Sequence, residues 1–257
     1  MYTENMLALA VRSMGVKETD ILTVHTSLKA VGKIDTSEKS GAHVLIDALR
    51  RCVKDGILMI PSHTFVNVCE EPIFNVRETK PCIGAVPCVA VEMANRAFDA
   101  GDDTCIRSVH PSHSIVAFGK RAKEFAWDDR FSVTRTPMTG SYGKLYNEGG
   151  KILLIGVGLT RNTFIHAIDE TLDDRVVRTI NVTFTDYDGS NWERELILTE
   201  QPSSLTFSRF KEALESADAV VYGKVGDADS MLIDARKCFD VIAQIRRFEI
   251  ANSKEEM

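Results

Sequence analysis

Along the first two thirds of the chain, short apolar runs alternate with segments whose apolar residues recur every three or four positions. The runs are "DILTVHT" (20–26), "GILMIP" (56–61), "HSIVAFG" (113–119) and "KILLIGVG" (151–158). Their length, their β-branched content and their flanking turn residues predict strands. "SGAHVLIDALRRCV" (40–53), "VPCVAVEMANRA" (86–97) and "KRAKEFAWD" (120–128) carry helical spacing, and so does the segment after "KILLIGVG". "MYTENMLALAVRSMG" reads as a short amphipathic helix. This alternation predicts an α/β layered fold with a central mixed, largely parallel sheet flanked by helices.

The period changes in the last third. "INVTFTDYDG" and "NWERELILT" alternate polar and apolar residues around "DGSN". Asp-Gly supports the positive φ of a tight turn, so a C-terminal antiparallel hairpin is predicted. "SRFKEALESA" (208–217) and "DARKCFDVIAQIRRF" (234–248) are amphipathic helices, and "NSKEEM" is a fraying tail. With no internal repeat, low-complexity stretch or Pro/Gly-rich linker, residues 1–257 read as a single domain.

Composition narrows the function classes. The chain has 257 residues, 44% of them hydrophobic and 26% charged, with a net charge of −6. That suits an ordered globular protein, and the absence of clustered Lys and Arg argues against a nucleic-acid partner. No apolar run is long enough to span a membrane. The acidic balance is compatible with a cationic small-molecule substrate. The six cysteines, at 52, 69, 82, 88, 105 and 238, form no C-x-x-C pair. Without a signal-peptide pattern at the start, they are expected to be reduced thiols in a cytoplasmic protein. Oligomeric state is not legible.

Several stretches carry candidate chemistry. In "VHTSL" (24–28) a strand ends on Thr26 and Ser27, whose hydroxyls suit phosphate or pantetheine binding as well as a plain helix cap or turn. "IRSVHPSHS" (106–114) offers Arg107 as a fork donor and Ser108 beside it. His110 and His113 are three apart, but Pro111 disfavours helix at His110, and no third ligand stands nearby. No metal site is expected there. "GVGLTRNTFIH" (156–166) has Gly156-x-Gly158 after a strand, but Arg161 occupies the third glycine position of a dinucleotide loop. His166 falls in the first turn of the next helix. The positive end of the helix dipole favours its neutral form, the form a general base needs, although a histidine bonded into the sheet-to-helix junction is the commoner case for these residues alone. Among the acids, Glu70 and Glu71 lie in a loop, and Asp169, Glu170, Asp173 and Asp174 follow His166.

Taken in order, "DILTVHTSLKAVG", "ALRRCVKDGILMIPSHTF", "IRSVHPSHSIVAFG", "TPMTGSYGKL" and "GKILLIGVGLTRNTFIHAIDE" resemble the motifs of the acetyl-CoA-dependent aminoglycoside 3-N-acetyltransferases. These enzymes are distinct from the GCN5-like acetyltransferases. The resemblance covers residues 5–172 well and the rest more loosely. It implies one acetyltransferase domain, acetyl-CoA as co-substrate, no metal, and direct acyl transfer in which His166 is the general base. It also implies an acid that orients the histidine, placed at Glu200 in "ILTEQ". Asp169 is the second candidate, standing where the family usually has Glu. Thr163 or backbone N–H groups would meet the oxyanion, and CoA would lie near Thr26, Ser27, Arg107 and Ser108. An aminoglycoside would meet Glu70, Glu71, Asp169 and Glu170, and the cysteines would be bystanders. Alternatives sharing the fold are acyl transfer to another amine, such as a metabolite or an aminophosphonate, and a non-catalytic CoA-binding module.

Overall fold

The computed structural model describes residues 1–64, 72–136, 138–172 and 175–255. Its frame is a seven-stranded sheet in the order β4-β5-β2-β1-β6-β10-β9. The strands are β1 (Ile21–Thr26), β2 (Ile57–Pro61), β4 (Cys105–Arg107), β5 (Ile115–Phe118), β6 (Lys151–Ile155), β9 (Val220–Val225) and β10 (Ala228–Asp234). At the centre, β1 pairs in parallel with both β2 and β6. Antiparallel strands extend the sheet on both sides, β5 and β4 beyond β2, and β10 and β9 beyond β6. The sheet is mixed, as the alternation implied, with its parallel pairing confined to the middle.

Those middle strands are continuous apolar runs because both of their faces are covered. Leu22, Leu58, Ile60, Leu153 and Ile155 face one core, with the helices Glu4–Ser13, Gly41–Cys52 and Ala85–Asp99. Ile21, Ile57, Met59, Ile152 and Leu154 face the other, with the helices Ser141–Asn147, Phe164–Leu172 and Ala235–Glu255. The side-chain alternation of a strand thus divides one sheet between two cores.

The predicted hairpin forms as β7 (Val176–Thr185) and β8 (Asn191–Thr199), turning at Asp186–Ser190 with Gly189 at φ 80°. It does not join the central sheet. Together with β3 (Ile73–Asn75) it makes a separate three-stranded sheet over a small core of Phe74, Val182, Phe184, Leu196 and Leu198. A second hairpin, β9–β10, turns through Gly226 at φ 63°. No described helix is long and apolar enough to cross a membrane.

Candidate active site

The parallel strands end side by side. β1 runs into His25, Thr26 and Ser27, β2 into Ser62 and His63, and β6 into Gly156 and Val157. A cleft of about 830 Å³ opens at these carboxyl ends and continues along the start of the helix Phe164–Leu172. This is where open α/β sheets gather ligands, since the strands stop and the helices begin there.

His166 lines this cleft. Its helix starts where it does because the Asn162 side-chain carbonyl accepts the Phe164 N–H at 3.3 Å. The ring packs edge-on to Phe207, with centroids 4.8 Å apart. Burial, with the Arg135 guanidinium adding to it, pushes its pKa down to about 4. The imidazole is therefore neutral near pH 7, as the helix-start position implied. Its Nδ1 is buried with no hydrogen-bond partner among the described residues.

Other histidines gather around the same floor. His25 is lowered to about 4 and His63 well below its ordinary value, both chiefly by burial. His63 and His113 meet edge to face with centroids 4.4 Å apart. His113 also lines the cleft, but its Nδ1–H is committed to the Arg135 carbonyl at 2.5 Å. His110 donates from Nε2 to the Thr134 carbonyl at 3.1 Å, and its Nδ1 accepts the His113 N–H at 3.0 Å. The pair noticed in "IRSVHPSHS" thus ties down the 134–135 segment. No group of metal-ligating side chains occurs among the described residues.

Thr26, Ser27 and Thr163 all line the cleft, as anticipated. Arg107 and Ser108 do not. Arg107 is 1% exposed, and its nitrogens donate to the carbonyls of Ser62, Val76 and Thr79 and to the hydroxyls of Ser62 and Ser114. Its guanidinium also sits over the Phe74 ring, 5.0 Å from the centroid. Arg107 therefore pins β3 and its following turn to β2 and β5, and is not a phosphate clamp. Ser108 is buried, and its hydroxyl accepts the Ile115 N–H at 2.9 Å. Cations do reach the cleft, but as Lys29, Arg135 and Arg161. Lys29 and Arg161 could have been found from sequence, since both follow the strand-end turns of β1 and β6.

The acids need more correction. Glu200 is not brought to His166: its side chain is 59% exposed and pairs with Arg175 at 3.3 Å. It sits just past β8, where the chain leaves toward solvent, so it does not orient the ring. Asp169 is 2% exposed and bonds the Arg246 Nε at 2.8 Å, facing the C-terminal helix. It neither pairs with His166 nor lines the cleft. Glu170 is drawn inward too. Its carboxylate accepts the Thr136 N–H at 2.8 Å, the Gln201 amide at 2.9 Å and the Thr199 hydroxyl at 3.2 Å. Burial raises its pKa, and these bonds oppose the rise. It clamps the histidine's helix to the 134–136 segment and to the exit of β8, and Gln201 in turn lines the cleft. Glu70, Glu71, Asp173 and Asp174 lie outside the described residues. No carboxylate lines the cleft among the described residues.

A three-layer α/β/α body with a neutral histidine in a cleft at the strand ends frames the site, and the comparisons state which family it belongs to. The profile of the family described as aminoglycoside 3-N-acetyltransferase matches residues 23–246. The chain belongs to this family. It is 24% identical over 254 residues to aminoglycoside N(3)-acetyltransferase IX of Micromonospora chalcea, covering 88% of this chain and 87% of the relative. To aminoglycoside N(3)-acetyltransferase VII of Streptomyces paromomycinus it is 26% identical over 266 residues, covering 93% and 89%. The fold matches that of the apoenzyme of aminoglycoside acetyltransferase AAC(3)-IVa, with a TM-score of 0.77 at 21% identity over 96% of this chain and 88% of the other. It also matches the binary complex of AAC-IIIb with CoASH, with a TM-score of 0.78 at 20% identity over 96% and 97%.

Proposed function

We propose that the protein transfers the acetyl group of acetyl-CoA to the 3-amino group of an aminoglycoside, with His166 as general base. The observation that carries this reading is the neutral, cleft-lining imidazole of His166 beside Thr163, at the carboxyl ends of β1 and β6. Family membership and the CoASH complex of a structural neighbour support the choice of donor.

The chemistry follows from the groups present. An alkylammonium has no lone pair to attack with until it loses a proton, and neutral His166 takes it, directly or through water. The amine nitrogen then bonds to the thioester carbon, and the carbonyl oxygen becomes an oxyanion. The Thr163 hydroxyl, which lines the same cleft as His166, would donate to that charge. The nitrogen of the tetrahedral adduct loses its remaining extra proton to water, collapse expels the CoA thiolate, and the imidazolium returns its proton to that thiolate. Neither an acyl-enzyme nor a thiolate is needed. Lys29 and Arg161, both exposed at the cleft, suit the CoA phosphates, while Thr26 and Ser27 suit its pantetheine arm. The carboxylates that would receive the acceptor's ammonium groups are Glu70 and Glu71, since Asp169 and Glu170 are spent on structure.

The test is CoA release from acetyl-CoA, followed with a thiol reagent, across kanamycin, gentamicin and simple amines. Acetylation of an aminoglycoside at the 3-amino group supports the reading. Turnover only with other amines would move the acceptor class, and acetyl-CoA binding with no turnover of any amine would sink the catalytic assignment.

A further inference from the structure

Behind Thr163, outside the cleft lining, stands a tyrosine that the chemistry above does not use. Tyr142 is 2% exposed and lies on the helix Ser141–Asn147. Its hydroxyl is 2.6 Å from the Thr163 Oγ1 and 3.4 Å from the His63 Nε2. The Thr163 Oγ1 also lies 3.5 Å from the His25 Nε2. The tyrosine has little freedom to turn. Its ring packs edge-on to Phe164 with centroids 5.8 Å apart, and Asp129 accepts both the N–H and the hydroxyl of Ser141 just before it. Just after it, a Cβ on Gly143 would come within 1.8 Å of the Met138 carbonyl oxygen, so the helix is pressed against that loop.

Counting hydrogens orders this line. A phenol and a threonine hydroxyl each own one proton, and each can accept. Among the described residues, the His63 Nδ1 is buried without a hydrogen-bond partner. A buried unpaired N–H is rarer and costlier than a buried unpaired lone pair, so the proton of His63 belongs on Nε2. The Nε2–H then donates to the Tyr142 oxygen, and Tyr142 donates to the Thr163 Oγ1. The threonine hydrogen is thereby turned away from Tyr142, to the side where the cleft lies and where the cleft-lining His25 Nε2 stands at 3.5 Å. Without the phenol, Thr163 could direct its proton inward and lose its aim.

We propose that Tyr142 is a positioning residue, holding the Thr163 hydroxyl so that its proton faces the thioester carbonyl. This rests on the acetyltransferase reading. The experiment compares wild type, Tyr142→Phe, Thr163→Val and the double variant. Phenylalanine keeps the ring packing, and a melting curve checks that each variant is folded. Tyr142→Phe should lower kcat about tenfold, and Thr163→Val about a hundredfold as befits loss of an oxyanion donor. The KM for acetyl-CoA should change less than about twofold in both, because the contact strengthens only in the transition state. The double variant should be no slower than Thr163→Val alone, as expected when one residue acts through the other. A second measurement does not need turnover: the infrared carbonyl stretch of bound acetyl-CoA labelled with carbon-13 at the thioester carbonyl. Wild type should show a stretch lowered by hydrogen bonding, and both single variants should lose most of that lowering. If Tyr142→Phe keeps the lowered stretch and its kcat, the role of Tyr142 is overturned while the acetyltransferase reading stands. Additive losses in the double variant would likewise overturn it. If the wild type binds no acetyl-CoA, the acetyltransferase reading itself falls, and this inference with it.

Discussion

Acidification should destabilise this protein steeply, and the histidines say by how much. His25, His63, His110, His113 and His166 are all kept neutral, in each case mainly by burial. For His25, His110 and His166 the pKa falls from the usual 6.5 to about 4. The unfolded chain therefore takes up protons first as the pH drops. The stability these groups allow is fully present above their unfolded value and is lost as the pH falls from about 6.5 toward about 4. One such histidine costs about 1.3 kcal/mol between pH 7.5 and 5.5, so His25, His110 and His166 together cost about 4 kcal/mol, and His63 and His113 add to it in the same direction. Asp129 works the other way. Burial raises it from 3.8 to about 6, so the folded protein gains a proton there that the unfolded chain does not, returning about 0.8 kcal/mol. Asp169 and Glu170 are raised in the same sense. Halving the three-histidine total for structural relaxation and for the half-buried His166 leaves roughly 2 kcal/mol, to which His63 and His113 add. That is a large fraction of the 5–15 kcal/mol that holds a typical domain together. Urea unfolding followed by circular dichroism should show the midpoint falling by about 1 M between pH 7.5 and 5.5, with unchanged slope. A midpoint constant within about 0.2 M over that range would refute the claim that these imidazoles are buried uncharged.

His166→Ala should lower kcat about a hundredfold to ten-thousandfold while acetyl-CoA still binds by calorimetry, and activity within about threefold of wild type would remove it as the base. Glu200→Gln should leave turnover within about threefold, because its carboxylate pairs with Arg175 in solvent; a tenfold loss in the same steady-state assay would restore it as the orienting acid. Lys29→Ala and Arg161→Ala should each raise the KM for acetyl-CoA and flatten its dependence on salt, and an unchanged salt profile would place the CoA phosphates elsewhere. Asp169→Asn should cost about 2 kcal/mol in denaturant unfolding with little change in kcat, since it breaks a largely buried pair with Arg246 that lies outside the cleft.

The core strands were legible because burial on both faces leaves an unbroken apolar run, as in Ile57–Pro61 and Lys151–Ile155. The place of His166 at a strand-end cleft was legible because a strand end and a helix start are local events. The β9–β10 hairpin went unread: its strand β9 has a half-exposed burial pattern, and its turn at Gly226-Asp227 lacks a run of turn residues. Strand β3, three residues long, owes its existence to pairing with β7, a partner far along the chain. The acids failed for a related reason. Spacing on a helix says which face a carboxylate occupies, but not what that face meets. Asp169 meets Arg246 from the C-terminal helix, and Glu170 meets backbone and side chains from two other segments. Arg107 was mistaken for the same cause, because a fork of donors serves buried carbonyls as readily as phosphate.

The clamp at Glu170 gives the hairpin two ends of very different tolerance. The exit of β8, at Thr199 and Gln201, is bonded to the helix that carries the base, so a residue inserted there would shift the cleft wall and the histidine together. At the other end of strands nine and ten residues long, Asp186 pairs with Arg130 and buried Tyr187 accepts the Arg107 N–H, but residues 188–190 just beyond them are exposed. A lengthened turn or a spliced peptide tag at residues 188–190 should therefore leave the reaction centre undisturbed, whereas one that pulls Asp186 or Tyr187 from their partners should not.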